Sequence, residues 1–160
     1  MLSILFPPTI GRSFPGHIAG VILFGLLTLF ELAISIGSTV NARGAAVGAD
    51  KIPVDSYGVD GATAFLSLFS SLGAVGVALA LVALVVLLRY RAMIPLMALV
   101  YALLAAAKMA INRAFPLPGR PPSDDWVTLG TVLLAAWLLV LLSAYWRGRG
   151  ATAGKTSPAT

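Results

Sequence analysis

Residues 61–114 read GATAFLSLFSSLGAVGVALALVALVVLLRYRAMIPLMALVYALLAAAKMAINRA. No charged residue interrupts 61–88, and a second apolar run follows from 92 to 114. A membrane-spanning helix needs about 20 mostly apolar residues at ~1.5 Å rise each, and both runs meet that length. Only Arg89-Tyr90-Arg91 separates them. So short a link forces a tight turn, which makes the two spans antiparallel neighbours. The first of the two runs is long enough to tilt or to project from the bilayer.

The same criterion, applied outward from this hairpin, finds a span at 17–38 and another at 126–146. Val40-Asn41-Ala42 has the look of a signal-peptide cleavage site. The apolar stretch before it is too long and its start is not clearly basic, so it reads as an uncleaved span. The expected fold is all-α: a polytopic membrane protein with four transmembrane helices in an up-down bundle. Residues 1–16, with Phe6-Pro7-Pro8 and Phe14-Pro15, read as an interfacial N-terminal segment. Residues 17–146 form the transmembrane domain, and 147–160, small and polar, read as a disordered cytoplasmic tail. Between spans, 39–60 is a polar loop and 115–125 a stiff connector carrying Pro116, Pro118, Pro121 and Pro122. No internal repeat is visible.

Composition agrees. The chain has 160 residues, 59% hydrophobic and 11% charged, against about 25% charged in a soluble domain. Too few charges remain to cover a water-soluble surface, and the length leaves no room for a separate soluble catalytic domain. Cysteine is absent, which excludes disulfides, thiolate metal sites and cysteine nucleophiles. His17 is the only histidine, which excludes bis-histidine haem and histidine-rich zinc sites within one chain. The net charge of +5 sits in residues flanking apolar spans, the pattern of the positive-inside rule rather than of nucleic-acid binding.

With four spans, one side holds Arg12, Arg89, Arg91, Arg147, Arg149 and Lys155 and no acid. The other holds Arg43, Lys51, Arg113 and Arg120 with Asp50, Asp55, Asp60, Asp124 and Asp125. Short basic loops weigh most in orientation, so Arg89, Arg91, Arg147 and Arg149 are the topology determinants. They place both termini in the cytoplasm and the two longer loops outside. Tyr90, Tyr145 and Trp146 fit an inner aromatic belt, and Tyr57, Phe115 and Trp126 an outer one.

Two ionisable residues break the apolar spans: Glu31 in the first and Lys108 in the third. Mid-membrane charges cost roughly 2.5–3.5 kcal/mol on insertion scales and normally face protein or water. Both spans run outward, and each residue lies seven positions before its span's outer end, at Ser38 and Phe115. At ~1.5 Å per residue both are about 10 Å below the outer boundary, so a Glu31–Lys108 pair is geometrically possible. Helical spacing puts Thr28, Glu31, Ser35 and Ser38 on one face, and Tyr101, Lys108 and Asn112 on another. Thr63, Ser67 and Ser70 share a face of the second span, and Thr128 and Thr131 open the fourth. The inner halves are almost purely apolar, which argues against a full channel.

Two uses compete for this pattern. Glu31 and Lys108 lock helix packing, with Lys108 snorkelling along its stem, or they line an outward-facing polar pocket with Thr28, Ser35, Tyr101 and Asn112. A proton relay through Glu31 is a further reading. Small residues provide for close packing: Ala33 with Gly37 on the first span, and Ser70, Ala74 and Ala78 beside Gly73 and Gly76 on the second.

No P-loop, dinucleotide fingerprint, HExxH or GxSxG occurs. The loop carrying Asp50, Asp55 and Tyr57 is the densest polar patch, but its spacing is not that of an EF-hand. A turn held by the Asp55 and Ser56 side chains is the simpler reading, and Asp124-Asp125 reads as a cap for the fourth span. No metal, cofactor or catalytic residue is assigned.

Phe6-Pro7 leading to Gly16 and Leu23-Phe24-Gly25, the stretch Ala49-Asp50-Lys51-Ile52-Pro53-Val54-Asp55-Ser56-Tyr57, and Arg89-Tyr90-Arg91-Ala92-Met93-Ile94-Pro95-Leu96-Met97 resemble a group of small, uncharacterised four-span inner-membrane proteins of proteobacteria. The similarity covers spans one to three and fades after about Asn112. It implies location and topology and carries no activity. The leading functional expectation is a non-enzymatic accessory or helix-packing component, partnered by membrane lipids and by a second copy or another membrane protein. The alternatives are a small-ligand binder or transporter built on Glu31 and Lys108, and a lipid-modifying enzyme built on the 50–60 loop.

Overall fold

The computed structural model describes residues 11, 13–116 and 125–153, with side chains in the last stretch for 128–145. The fold is an all-α bundle of four long helices: α1 (Ile18–Val40), α2 (Gly58–Arg89), α3 (Ile94–Ala114) and α4 (Asp125–Ala153). Each contains a stretch long and apolar enough to cross a membrane, so the chain is a multi-pass membrane protein. The bundle has a turn end, at Arg89-Tyr90-Arg91, and a loop end, at 41–57.

Local chemistry explains the helix limits. His17 caps α1, its Nδ1 accepting from the Ala19 N–H at 3.2 Å. Asn41 closes α1 by donating its N–H to the Gly37 carbonyl, and its side-chain oxygen accepts from the Gly44 N–H at 3.1 Å. That cap starts a further helical turn, Ala42–Gly44, which runs into a π-helical turn, Ala45–Ala49. A 3₁₀ turn, Val54–Tyr57, leads through Gly58 (φ 71°) into α2. The stretch expected as a polar loop is therefore largely helical. Pro95 lies in the first turn of α3, where its missing N–H costs nothing.

α2 has 32 residues and is about 48 Å long at 1.5 Å per residue, more than a bilayer core of about 30 Å needs. Its surplus at the loop end packs against the loop. Ala46, Ile52 and Val54 are buried there against Tyr57, Phe65 and Phe69, forming a small second core. At the other extreme, α4 continues to Ala153, past the expected limit at Trp146. No proline interrupts 147–153, and Gly148 and Gly150 weaken a helix without breaking it.

The main core occupies the half of the bundle nearer the turn end. Val21, Phe24, Ala83, Val86, Ile94, Met97, Ala98, Tyr101, Ala102, Trp137 and Val140 are buried together. Phe14 packs against it, and the Gly11 carbonyl accepts from the Ala92 N–H at 3.3 Å. The segment before α1 is thereby tied to the hairpin turn.

α1 packs chiefly on α2 and secondarily on α4, while α3 packs chiefly on α4. α2 and α3 are joined by the turn yet share little surface, and α1 and α3 share less. The helices thus group as α1 with α2 and α3 with α4. Glycines set the close approaches. A Cβ on Gly73 would lie 2.7 Å from Thr39 Oγ1 and 3.0 Å from the Ser35 carbonyl, and one on Gly76 would strike the Ser35 hydroxyl. Ser70 donates to the Thr39 carbonyl at 2.8 Å across the same seam. On the other side of α1, Gly20 faces Ser143 of α4. Of the expected small-residue sets, Gly73, Gly76 and Ser70 lie in this seam. Ala33, Ala74 and Ala78 are exposed, and nothing stands within 4 Å of a Cβ at Gly37.

Expectations for residues 1–10, for Arg12, for the proline-rich stretch 117–124 and for the tail 154–160 lie outside the described residues. So do the side chains of Asp125, Trp126, Trp146, Arg147 and Arg149.

Candidate polar cleft

The floor of the candidate site is aromatic. Tyr101 of α3 lies flat on Trp137 of α4, with ring centroids 4.5 Å apart and planes at 7°. Phe24 of α1 meets Trp137 edge-on at 5.8 Å and 73°. Three of the four helices are locked at this level. Trp137 and Phe24 are fully buried and Tyr101 is 3% exposed. Stacked and edge-on pairs of this kind contribute about 0.5–1.5 kcal/mol beyond burial.

Above the floor, toward the loop end, burial thins. No residue of α3 after Ala102 is buried, and no described side chain of α4 before Trp137 is. α1 remains covered by α2 through Ser35 and Gly73. α3 remains in touch with α4 where Met109 covers Gly130, its Cγ 3.2 Å from the position of an added Cβ. Thr28 is fully buried one turn above Phe24; beyond it each pair stays together, and the described side chains of α3 and α4 are half-buried or exposed.

Glu31 and Lys108 stand over that floor. Glu31 follows Phe24 by seven residues, and Lys108 follows Tyr101 by seven. Seven residues turn a helix through about 700°, some 20° short of two turns, so each charged residue stands on nearly the same helix face as its aromatic. Gly130 precedes Trp137 by the same seven residues, and it contributes no side chain to that layer of α4. Glu31 is half-buried and Lys108 is exposed. The two are within electrostatic range of each other, and Glu31 is also within range of the Tyr101 phenol. They form no contact ion pair; the contact pair found among the described residues is Arg43–Asp55 in the loop.

Two donors of the floor lack acceptors among the described residues: Tyr101 Oη and Trp137 Nε1. A buried donor left without a partner costs about 1–3 kcal/mol, and nearly all such groups in native proteins are satisfied.

The residues expected to form one pocket divide. Glu31, Lys108 and Tyr101 come together. Thr28 is buried beside them, but its hydroxyl donates to the Phe24 carbonyl at 2.8 Å within its own helix. Ser35 turns to α2, against Gly76. Asn112 is exposed one turn beyond Lys108. On α2, Ser70 bonds α1, while Thr63 and Ser67 are exposed, the Thr63 hydroxyl donating to Val59 in its own helix. Trp137 was not expected at the site. Its signal was available, since tryptophan favours membrane interfaces and this one sits mid-span with an N–H to satisfy.

The loop patch has a different character. Asp55 pairs with Arg43, both well exposed, and Ser56 Oγ donates to the Pro53 carbonyl at 2.7 Å. Ser56 thus holds the turn expected there, while Asp55 serves the ion pair instead. Tyr57 packs edge-on against Phe65 at 5.8 Å, its hydroxyl buried without a partner among the described residues. Asp50 ends the π-helical turn half-buried. No group of three or more metal-ligating side chains occurs among the described residues. At the turn end Arg91 Nε donates to the Leu87 carbonyl at 3.0 Å, and Arg89 stands 5.7 Å from the Tyr90 ring centroid.

No protein-family model, curated protein or solved structure matches this chain.

Proposed function

We propose that this chain is a non-enzymatic small-ligand binder of a bacterial inner membrane, with both termini and the Arg89-Tyr90-Arg91 turn in the cytoplasm and the cleft open to the outside. One observation carries the reading: half-buried Glu31 and exposed Lys108 each lie two turns above an aromatic of the floor, within electrostatic range, and neither has a contact partner among the described residues. Charges held at this depth for packing alone gain most from direct pairing. Two such charges left apart in a cleft gain most from a ligand between them. The orientation rests on the basic residues of the short turn. The closed, apolar turn-end half favours binding over a continuous pore.

The test is chemical access. Cysteine placed at Glu31 or Lys108 in intact cells should react with a membrane-impermeant maleimide added outside. Cysteine at Val85, exposed on the turn-end half of α2, should not. Labelling of the Val85 variant alone, or of none of the three, sinks the proposal.

A second reading has its own support. The loop-end half of α3 is exposed, with Leu103 at 62% and Ile111 at 58%. A helix of a second copy or of another membrane protein laid along α3 would cover it and make the chain an accessory, helix-packing component. Crosslinking from cysteine at Leu103 in native membranes distinguishes this from lipid exposure.

A further inference from the structure

Three separate stretches of chain meet at the turn end. The Gly11 carbonyl accepts from the Ala92 N–H at 3.3 Å, which ties the segment before α1 to the turn. A Cβ on Gly16 would lie 2.7 Å from the Ser143 carbonyl, so the same segment runs against α4. In sequence, Arg12 follows Gly11, Arg89 and Arg91 flank Tyr90, and Arg147 and Arg149 come shortly after Ser143. None of these stretches contains an acid. At the loop end Arg43 is paired with Asp55, whereas Arg89 and Arg91 are exposed and make no ion pair among the described residues.

We infer that the turn end binds an anionic phospholipid, its phosphate held by Arg89 and Arg91 and an acyl chain laid along α2 below them. Arg91 is held for this: its Nε donates to the Leu87 carbonyl at 3.0 Å, which satisfies one of the terminal carbonyls of α2. The two Nη groups keep their N–H donors for another acceptor. Arginine offers phosphate a planar fork of such donors. The apolar part of the site lies on Arg89's own helix face. Val82 and Val85 precede it by seven and four residues, and each is 52% exposed. A stripe of exposed aliphatic side chains that ends in a guanidinium, at the end of a span, matches a lipid tail that ends in a phosphate. Clusters of about 4–8 Lys and Arg beside a span end attract anionic headgroups. The absence of any acid sets the selectivity, because an ethanolamine or choline headgroup brings an ammonium for which this end has no carboxylate. The site needs only that the turn end meet a membrane surface, and it is independent of the polar cleft.

The experiment measures thermal unfolding of the full chain in maltoside micelles, where orientation plays no part. The micelles are doped with phosphatidylglycerol, phosphatidylethanolamine or phosphatidylcholine, or receive inorganic phosphate in solution. The expected result is stabilisation by phosphatidylglycerol well beyond the other three, weakening as salt is raised. Arg89→Gln with Arg91→Gln should require at least about tenfold more phosphatidylglycerol for the same effect. Arg43→Gln, at the loop end, removes a cation elsewhere and should leave the lipid response unchanged. Arg89→Lys with Arg91→Lys keeps both charges and should keep the preference for phosphatidylglycerol, which separates lost binding from lost folding.

Equal stabilisation by all three lipids, or by none, overturns the inference. Inorganic phosphate acting as strongly as phosphatidylglycerol overturns it too, because the acyl chain would then contribute nothing. A loss in Arg43→Gln as large as that in the turn variant would show that net charge is read rather than a site. None of these outcomes bears on the cleft, which cysteine labelling at Glu31 and Lys108 tests separately.

Discussion

Tyr101 and Trp137 stack face to face at 4.5 Å, and Phe24 of α1 meets the same indole edge-on, so one tryptophan joins the two helix pairs. On the turn-end side of it lies the apolar core. On the loop-end side lie two charges that do not touch.

The stack should be the most sensitive point of the bundle. Trp137→Ala removes the largest fully buried side chain and should cost about 3 kcal/mol, as large core truncations do. Trp137→Phe keeps an aromatic ring and removes the unpartnered N–H, so it should cost far less. Thermal unfolding in micelles measures both; equal losses would show that ring contact is not what holds this level together.

The α1–α2 seam should tolerate no side chain at Gly76. Gly76→Val drives a methyl group into Ser35 and should cost about 1–3 kcal/mol, the usual range for overpacking. Gly37→Ala, where nothing stands within 4 Å, should be neutral or slightly stabilising. Ser70→Ala, which removes the bond to Thr39, should cost about 0.6 kcal/mol, a typical interhelical value in membranes.

The Arg43–Asp55 pair should matter little to stability. Both side chains are more than half exposed, at 61% and 72%, and exposed pairs contribute about 0–1 kcal/mol and are screened by salt. Asp55→Asn should therefore leave the melting temperature nearly unchanged, with any small loss vanishing at high salt. A larger effect would mean that the pair holds the loop on the bundle.

Orientation should depend on the turn. A reporter active only in the cytoplasm should be active when fused after Tyr90, and one active only outside should be active when inserted near Gly48. Arg89→Ala with Arg91→Ala should weaken that preference more than Arg43→Ala, because Lys and Arg in short loops weigh most. The opposite pattern of reporter activity would reverse the bundle.

Much of this fold is legible in one dimension. Spans 17–38, 61–88, 92–114 and 126–146 follow from length and hydropathy alone, because a helix in hydrocarbon must satisfy its own backbone. The common depth of Glu31 and Lys108 follows from counting, since rise per residue is constant. The helical turns of the 41–57 loop were not legible. They depend on the Asn41 cap and on Ala46, Ile52 and Val54 finding cover on α2, and polar composition conceals both.

What the chain alone determined was membrane residence, four helices, and two opposite charges at one level. Which helices pair was decided only in three dimensions, because small residues look alike in sequence. Gly73 and Gly76 meet α1, while Ala33, Ala74 and Ala78 face outward. Tertiary structure also decided that Ser35 belongs to packing and Trp137 to the site, and that Glu31 and Lys108 stand near each other without touching. Those outcomes depend on which helix faces meet once the chain is folded, and no single residue or local spacing carries that information.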